Sequence, residues 1–259
     1  MIAENPTANV ADIANNWENR MSKVCIVTGA SRGLGRGIAK VLAEERSATV
    51  YATARSEMAL NDLASSLKSD TGVIHPIVLD QSDDSAVEKF ITTVAEKEGR
   101  IDLLVNSAYG GLAAMTPHFG KPFWERPISV FDASIDIGLR SAFVSSAIVA
   151  PHMVSQKSGL IVQVSSFGGH SYLFDVGYGV GKAGLDRLSA DMATELNEHG
   201  VRSLTLYPGG AVTEIACFPG GETPTFTGRS VAALLYDTPE DDLANLNGKV
   251  VLTMELALK

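Results

Sequence analysis

Three side chains, Ser166, Tyr178 and Lys182, have the chemistry of a proton-transfer site. Tyr178 and Lys182 are four residues apart in Tyr-Gly-Val-Gly-Lys, and residues at this spacing lie on one face of a helix. An ammonium beside a phenol stabilises the phenolate, so we predict that Lys182 lowers the pKa of Tyr178 from about 10 towards neutrality. A tyrosine with such a pKa can donate and accept protons. Because solvated Tyr-Lys pairs share this spacing, the assignment depends on motifs elsewhere in the chain.

A glycine-rich segment lies between the first predicted strand and the first predicted helix, where residues 28–35 read Thr-Gly-Ala-Ser-Arg-Gly-Leu-Gly. Its glycines permit a tight turn, a close backbone approach to a pyrophosphate and close helix packing. The N-terminus of the following helix adds free N–H groups and a positive dipole end. We therefore predict a dinucleotide phosphate site with contacts from Gly29, Ser31, Arg32, Gly33, Leu34 and Gly35.

The end of the second predicted strand indicates which dinucleotide is bound. An acidic residue there would bond a ribose 2′-hydroxyl, whereas a basic one would pair with a 2′-phosphate. This strand ends in Ala-Thr-Ala followed by Arg55, and Arg32 adds a second guanidinium in the glycine-rich segment. Guanidinium groups suit phosphate, so we predict NADP(H), with NAD(H) as the alternative. Arg55 could also be only a solvated charge at a strand end.

Apolar β-rich runs alternate with amphipathic runs of helical length. The predicted strands are 23–28, 49–54, 73–79, 103–106, 160–165, 201–206 and 249–253. The predicted helices are 35–45, 57–67, 82–98, 130–154, 177–198 and 228–236. This alternation predicts a doubly wound parallel α/β sheet, the Rossmann fold, with about seven strands and helices on both faces. The long irregular segments 110–127 and 211–227 are expected to cover a site.

Composition bounds the class of protein. The 259 residues, 45% of them apolar, are enough for one large domain over residues 22–259, preceded by a flexible arm over residues 1–21. A net charge of −9 argues against nucleic acid as a partner. No apolar run of about 18 residues stands out, so we expect a cytoplasmic protein without a membrane partner.

The cysteines and histidines predict no metal site and no disulfide framework. Cys25 lies in an apolar run and Cys217 in a predicted loop, which suits a reducing compartment. The histidines at 118, 152 and 170 have no metal-ligand spacing.

Taken in order, these motifs resemble the short-chain dehydrogenase/reductase family over about residues 22–256. The resemblance is carried by residues 24–37, 48–51 and 106–109, by Gly-Leu-Arg at 138–140, and by residues 178–183. It implies an oxidoreductase that transfers a hydride between a nicotinamide and a carbonyl or secondary alcohol. Tyr178 would exchange the proton, and Lys182 would also bond the nicotinamide ribose. Ser166 would donate to the substrate oxygen, with Ser165 as the alternative.

The resemblance also implies further cofactor contacts and shows two departures. The implied contacts are Asp80, Asn106, Pro208, Gly209, Val212 and Thr213. Tyr109 stands where the family has glycine, and Gly138 stands where it usually has a catalytic asparagine. The asparagine acts through its main-chain carbonyl, so Gly138 can keep the proton relay if the helix is distorted there. On this interpretation Gly138→Asn should be tolerated.

The loops after the strands contain aromatic residues, which favours a hydrophobic ketone, aldehyde or quinone as substrate. These residues are Phe119, Phe123, Trp124, Phe167, Tyr172, Phe174 and Phe218. Simple packing, or a subunit interface, would give the same pattern. The resemblance implies a homodimer or homotetramer built through helices near 130–154 and 177–198. The alternative functions are an NAD(H)-dependent alcohol dehydrogenase and a non-catalytic dinucleotide-binding sensor.

Overall fold

The computed structural model describes residues 22–68, 71–214 and 218–257. The predicted arm over residues 1–21 and Cys217 lie outside the described residues.

Seven parallel strands form the sheet, in the order β3-β2-β1-β4-β5-β6-β7. They are β1 (Val24–Thr28), β2 (Thr49–Ala54), β3 (Val73–Val78), β4 (Leu103–Asn106), β5 (Gly159–Val164), β6 (Val201–Tyr207) and β7 (Val250–Leu252). The residues of β1 and β4 are all buried. Continuous apolar strands of this kind form where helices cover both faces of a parallel sheet.

The main helices alternate with the strands. They are α1 (Gly33–Arg46), α2 (Glu57–Ser65), α3 (Asp84–Glu98), α4 (Gly111–Met115), α5 (Ile128–Ser134), α6 (Ser141–Gln156), α7 (Val176–Leu196), α8 (Pro224–Tyr236), α9 (Glu240–Leu246) and α10 (Thr253–Ala257). One core, with Ile38 of α1 and Val231 of α8, lies on one face of the sheet. The other core, with Ile91 of α3 and Met153 of α6, lies on the opposite face. The prediction of a doubly wound Rossmann-type sheet is confirmed.

The strand order reverses direction between β1 and β4, which pair in parallel in the middle of the sheet. Thr28, the last residue of β1, joins the segments that leave these two strands. Its hydroxyl oxygen accepts hydrogen bonds from the backbone N–H groups of Ser107 and Ala108, both at 3.1 Å. In open α/β sheets the ligand crevice lies at such a switch point.

The structure departs from the predicted elements in two places near the cavity, and it also contains α9 and α10, which were not predicted. Segment 110–127, expected to be irregular, contains α4 and two short 3₁₀ turns, Thr116–His118 and Phe123–Glu125. The single helix predicted over 130–154 is α5 and α6 joined by a π-helix, Ile135–Arg140. A π-helix inserts a wide turn, and such turns are frequent at functional sites.

The combined helix over 128–156 has a further property. Within the described residues it is the one helix long and apolar enough to cross a membrane. Over a stretch of 18 residues its mean hydropathy is 1.3, and 39% of that stretch is buried inside the protein. The expectation that no run stands out by length and apolarity is therefore not met. A core helix of a soluble protein has the same features, and Val149 and Met153 of this helix lie fully buried in the sheet core.

Candidate active site

A cavity of about 410 Å³ opens at the carboxyl ends of the strands, beside the switch point. Its volume falls in the range of about 300–1,000 Å³ that is typical of small-molecule sites. Most of the residues predicted from the sequence line it. They are Gly29, Ser31, Arg32, Gly33, Leu34, Gly35, Arg55, Asp80, Ser166, Tyr178, Lys182, Pro208, Gly209 and Thr213.

The hydroxyls of Tyr178 and Ser166 are in direct contact. Tyr178 donates a hydrogen bond to Ser166 Oγ at 2.7 Å, and Ser166 Oγ also accepts from the N–H of Gly168. Ser165 instead donates to the main-chain carbonyl of Lys182 at 3.2 Å. The geometry therefore favours Ser166 over Ser165 as the partner of Tyr178.

Lys182 lies beside this pair but does not pair with the phenol. Its Nζ donates to the main-chain carbonyl of Val164 at 2.9 Å and lies 5.8 Å from the centroid of the Tyr178 ring. Burial lowers the pKa of Lys182 to about 8, although attraction by Asp186 opposes the change.

The prediction that Lys182 brings the pKa of Tyr178 towards neutrality is wrong for this arrangement. Burial raises the pKa of Tyr178, and the hydrogen bond with Ser166 reverses only part of the increase. The physical reason is that removing the phenolate from water costs more than the surrounding dipoles return. Tyr178 is therefore protonated at neutral pH, which suits a proton donor.

A buried ion pair holds the start of the helix that bears Tyr178 and Lys182. Asp175 precedes α7, and one of its carboxylate oxygens accepts from the N–H of Tyr178 at 2.6 Å. The other oxygen pairs with Arg126 Nη1 at 2.8 Å, where the two side chains are only 3% and 7% exposed. The segment before α5 thereby determines where Tyr178 lies.

The glycine-rich segment forms the cradle that its sequence predicted. Gly29 has a positive φ of 69°, and a Cβ added there would lie 2.7 Å from Cα of Ala108. A Cβ on Gly35 would lie 2.5 Å from the carbonyl oxygen of Gly29. Helix α1 begins at Gly33, and its preceding residue, Arg32, provides no side-chain cap. The helix therefore presents backbone N–H groups that could donate hydrogen bonds to a phosphate.

The charged residues around this cradle are compatible with a dinucleotide. Arg32 and Arg55 line the cavity, and the positive charge of Arg55 attracts the carboxylate of Asp80. Asp80 accepts from the N–H and the hydroxyl of Ser82, and these bonds lower the pKa of its carboxyl group. The residues present thus fit a dinucleotide with phosphates at α1 and an acidic contact for its adenosine end.

Two predicted contacts lie elsewhere. Asn106 is buried behind the cavity, where its amide donates to Ser146 Oγ at 3.0 Å and to the carbonyl of Ala142 at 3.3 Å. It ties β4 to α6 and does not line the cavity, because its side chain points to the helix layer. Val212 pairs through its N–H with the carbonyl of Glu222, and its side chain is also outside the lining.

Four polar residues of the lining were not among the predicted site residues: Gln81, Ser107, Tyr109 and Glu214. Gln81 directly follows Asp80 after the end of β3, and this position in the chain is the feature from which its place in the lining could have been predicted. Glu214 Oε2 accepts from the N–H of Gly33 at 2.9 Å, at the first residue of α1. A carboxylate thus lies at the helix terminus where a pyrophosphate would bind.

Of the aromatic residues predicted for a substrate pocket, only some reach the cavity. Phe167, Phe174 and Phe218 line it together with Leu112, Ile137 and Leu173. Phe174 packs at 5.0 Å against the ring of Tyr178. Four others lie outside the lining and are exposed: Phe119, Phe123, Trp124 and Tyr172. The wall beside Tyr178 is therefore apolar and partly aromatic, but smaller than predicted.

The π-helix provides the helix distortion that the sequence analysis required around Gly138. However, a Cβ on Gly138 would lie 3.1 Å from the Tyr109 ring. The Tyr109 ring would have to move by a few tenths of an ångström to admit a Cβ there. The expectation that Gly138→Asn is tolerated therefore stays a prediction, and it depends on whether the Tyr109 ring can move by this amount.

Comparisons with known proteins agree with this geometry. The profile of the short chain dehydrogenase family matches residues 23–217. Dehydrogenase/reductase SDR family member 1 of Mus musculus is 41% identical over 91% of this chain and 80% of its own. The structure of a metagenomic short-chain oxidoreductase in complex with NADP is 29% identical, with a TM-score of 0.75 over 90% of this chain and 97% of that one. A 7α-hydroxysteroid dehydrogenase complexed with NADH shares the fold, with a TM-score of 0.76 at 22% identity over 90% of this chain and 94% of its own.

Proposed function

The chain belongs to the short-chain dehydrogenase/reductase family, and from this premise we propose that it is an NADP(H)-dependent reductase of hydrophobic ketones, aldehydes or quinones. The observation that carries the proposal is the hydrogen bond between Tyr178 and Ser166 inside a cavity that continues to the phosphate cradle. A proton donor and a dinucleotide site in one cavity are what carbonyl reduction requires.

Ser166, Tyr178 and Lys182 have separate roles in the proposed reaction. A nicotinamide cofactor held in this cavity would supply the hydride for the carbonyl carbon. Ser166 and Tyr178 present their hydroxyls to the carbonyl oxygen, and Tyr178 donates its proton as negative charge develops there. Lys182, whose ammonium is held by the carbonyl of Val164, lines the same cavity, where it would bond the nicotinamide ribose. The product is the alcohol, and Tyr178 recovers a proton from solvent.

Tyr178→Phe tests this mechanism because it removes the proton donor and keeps the ring. We expect NADPH-dependent reduction of a panel of apolar carbonyl compounds to fall by about 10²–10⁴-fold. NADPH affinity, measured by fluorescence titration, should change less than about three-fold because the phosphate cradle is untouched. Wild-type turnover in Tyr178→Phe would contradict the assignment, and loss of NADPH binding would indicate a damaged fold.

The preference for NADP(H) is supported by the guanidinium groups of Arg32 and Arg55 at the cavity and by the relative in complex with NADP. Arg55→Ala should weaken NADPH binding by about ten-fold or more, because a 2′-phosphate would lose a charge-assisted bond. NADH affinity should stay the same. Equal weakening of both cofactors would contradict the phosphate contact. Arg187→Ala, at an exposed pair on α7, is the matched control.

Assembly into a homodimer or homotetramer stays a prediction, as does a cytoplasmic location. Exposed apolar side chains support the assembly. Ile128, Phe131 and Phe143 are exposed on the helix over 128–156, and Val176 and Val180 are exposed on α7. Apolar side chains grouped on two helices are typical of a surface that another subunit covers.

A further inference from the structure

The ring of Tyr109 fills a space beside Lys182 that two glycines leave open. A Cβ on Gly138 would lie 3.1 Å from Cδ2 and 3.2 Å from Cε2 of the ring. A Cβ on Gly111 would overlap the Tyr109 hydroxyl. The ring therefore packs closely against Gly138, and a side chain at position 138 would require the ring to move. Tyrosine at 109 and glycine at 138 are thus physically coupled.

This ring contacts both members of the catalytic pair. Lys182 Nζ lies 4.9 Å from the centroid of the Tyr109 ring. The rings of Tyr109 and Tyr178 are 5.6 Å apart and perpendicular, with an interplanar angle of 88°. An ammonium over an aromatic face is attracted by the ring quadrupole, most strongly where water is excluded.

The attraction between the Tyr109 ring and the Lys182 ammonium is important because Lys182 is buried. The side chain is only 8% exposed, and its ammonium has three N–H donors. Among the described residues, the carbonyl of Val164 is its one hydrogen-bond acceptor. The ring face of Tyr109 is therefore a principal compensation for the lost hydration of the ammonium. The titratable and charged groups around Lys182 are Asp186 on its own helix, Tyr207 of β6 bonded to Asp186, Tyr178 and Tyr109.

The position of the ring is itself fixed from behind. The hydroxyls of Tyr109 and Ser134 lie 3.0 Å apart, and Ser134 Oγ donates to the carbonyl of Val130. Ser134 is fully buried at the end of α5. The ring is thus attached at its hydroxyl to a helix, while its face remains turned to Lys182.

We propose that Tyr109 is a positioning residue, whose ring holds the Lys182 ammonium and supports Tyr178 from the space that Gly138 leaves open. Its effect on turnover rests on the proposed function, whereas its effect on Lys182 can be measured without turnover.

The first test measures the pKa of Lys182 by NMR of side-chain ¹³C-labelled lysine, with Lys182→Met to assign the signal. The variants carry tyrosine, phenylalanine or a fluorinated phenylalanine at position 109. Increasing fluorination weakens the quadrupole of the ring while the shape of the ring stays nearly constant. Tyr109→Phe should keep the pKa within about 0.2 units, and full fluorination should lower it by about 0.5–1 unit. A pKa that is the same across the series would overturn the proposal.

The second test uses NADPH-dependent carbonyl reduction. The alkaline limb of kcat/KM should move to lower pH along the same fluorination series, by about the shift of the Lys182 pKa. Tyr109→Gly should lower kcat by about ten-fold, whereas Tyr109→Phe, which keeps the ring face over Lys182, should retain most of it. A merely structural role would move the melting temperature without moving the alkaline limb. A Tyr109→Phe variant no better than Tyr109→Gly would overturn the role of the ring.

The two proposals fail in different ways. If the wild type oxidises no NADPH with any carbonyl of the panel, the proposed function fails, and the NMR titration still decides the role of Tyr109. If the wild type turns over and Tyr178→Phe does not, but neither the pKa nor the alkaline limb responds to position 109, the positioning role alone is overturned.

Discussion

At the scale of single residues, burial decides the protonation states of the catalytic pair. The i, i+4 spacing of Tyr178 and Lys182 correctly predicts a shared helix face in one cavity. It does not predict that Lys182 Nζ turns to the carbonyl of Val164, or that burial raises the pKa of Tyr178. The side-chain types are visible in a sequence, whereas desolvation depends on what the rest of the chain packs around them.

A buried ammonium should cost stability. The pKa of Lys182 is lowered from 10.5 to about 8, so the folded state is penalised wherever the ammonium is charged. The full penalty applies below pH 8. It is relieved as the pH rises from 8 to 10.5, because in this range the unfolded chain binds the proton and the folded chain does not. Lys182→Met should therefore gain stability relative to the wild type at neutral pH, and this relative gain should shrink by about 2 kcal/mol between about pH 7 and pH 9.5.

Urea denaturation at both pH values measures this difference. The exposed Lys89 on α3 provides the control, since Lys89→Met should show no such pH dependence. A stability difference between Lys182→Met and the wild type that is the same at both pH values would contradict the buried charge.

At the scale of elements, the periodic spacing of apolar residues predicts most strands and helices to within a few residues. It misses features that depend on contacts between elements. The π-helix over Ile135–Arg140 and helix α4 are examples. A single-sequence pattern reports which side of a segment is apolar. It does not report the turn of the backbone that lets Gly138 lie against Tyr109.

The ion pair of Arg126 with Asp175 should anchor α7 to the segment before α5. Arg126→Ala leaves the buried Asp175 carboxylate without its counter-ion, and we expect a loss of about 3–5 kcal/mol in the free energy of unfolding. Carbonyl reduction should also fall, because Asp175 accepts from the N–H of Tyr178. Denaturant melts and kcat together measure both effects.

Arg187→Ala is the matched control for this prediction. Arg187 pairs with Asp191 on the same helix, but the two side chains are 79% and 54% exposed. Such surface pairs contribute about 0–1 kcal/mol. If Arg126→Ala costs no more than Arg187→Ala, the buried pair does not anchor the helix.

At the scale of the whole molecule, the switch point between β1 and β4 brings distant segments to one cavity. Gly33 and Glu214 are 181 residues apart in the chain, yet the N–H of Gly33 donates to the Glu214 carboxylate. The carboxylate satisfies the N-terminus of α1 and would compete there with a pyrophosphate.

Glu214→Gln should therefore bind NADPH more tightly, by about three- to ten-fold, since it removes a negative charge from the phosphate position. Isothermal titration with NADPH measures the change, and the gain should decrease at high salt if the effect is electrostatic. Glu88→Gln, at an exposed site on α3, changes the net charge equally and should leave the affinity unchanged. Weaker binding by Glu214→Gln would show that the carboxylate supports the cofactor instead.

The sequence by itself predicted the fold class and the family, which are confirmed, and it singled out the glycine-rich segment, Ser166, Tyr178 and Lys182, which line one cavity. Each of these depends on short-range spacing or on the order of motifs, which a linear chain contains. Only the tertiary structure decided that Asn106 lies behind the cavity, that Glu214 reaches α1 and that Tyr109 takes the space beside Gly138. These relations join segments that are distant in sequence. Their distances, and the desolvation they impose, exist only once the sheet has assembled.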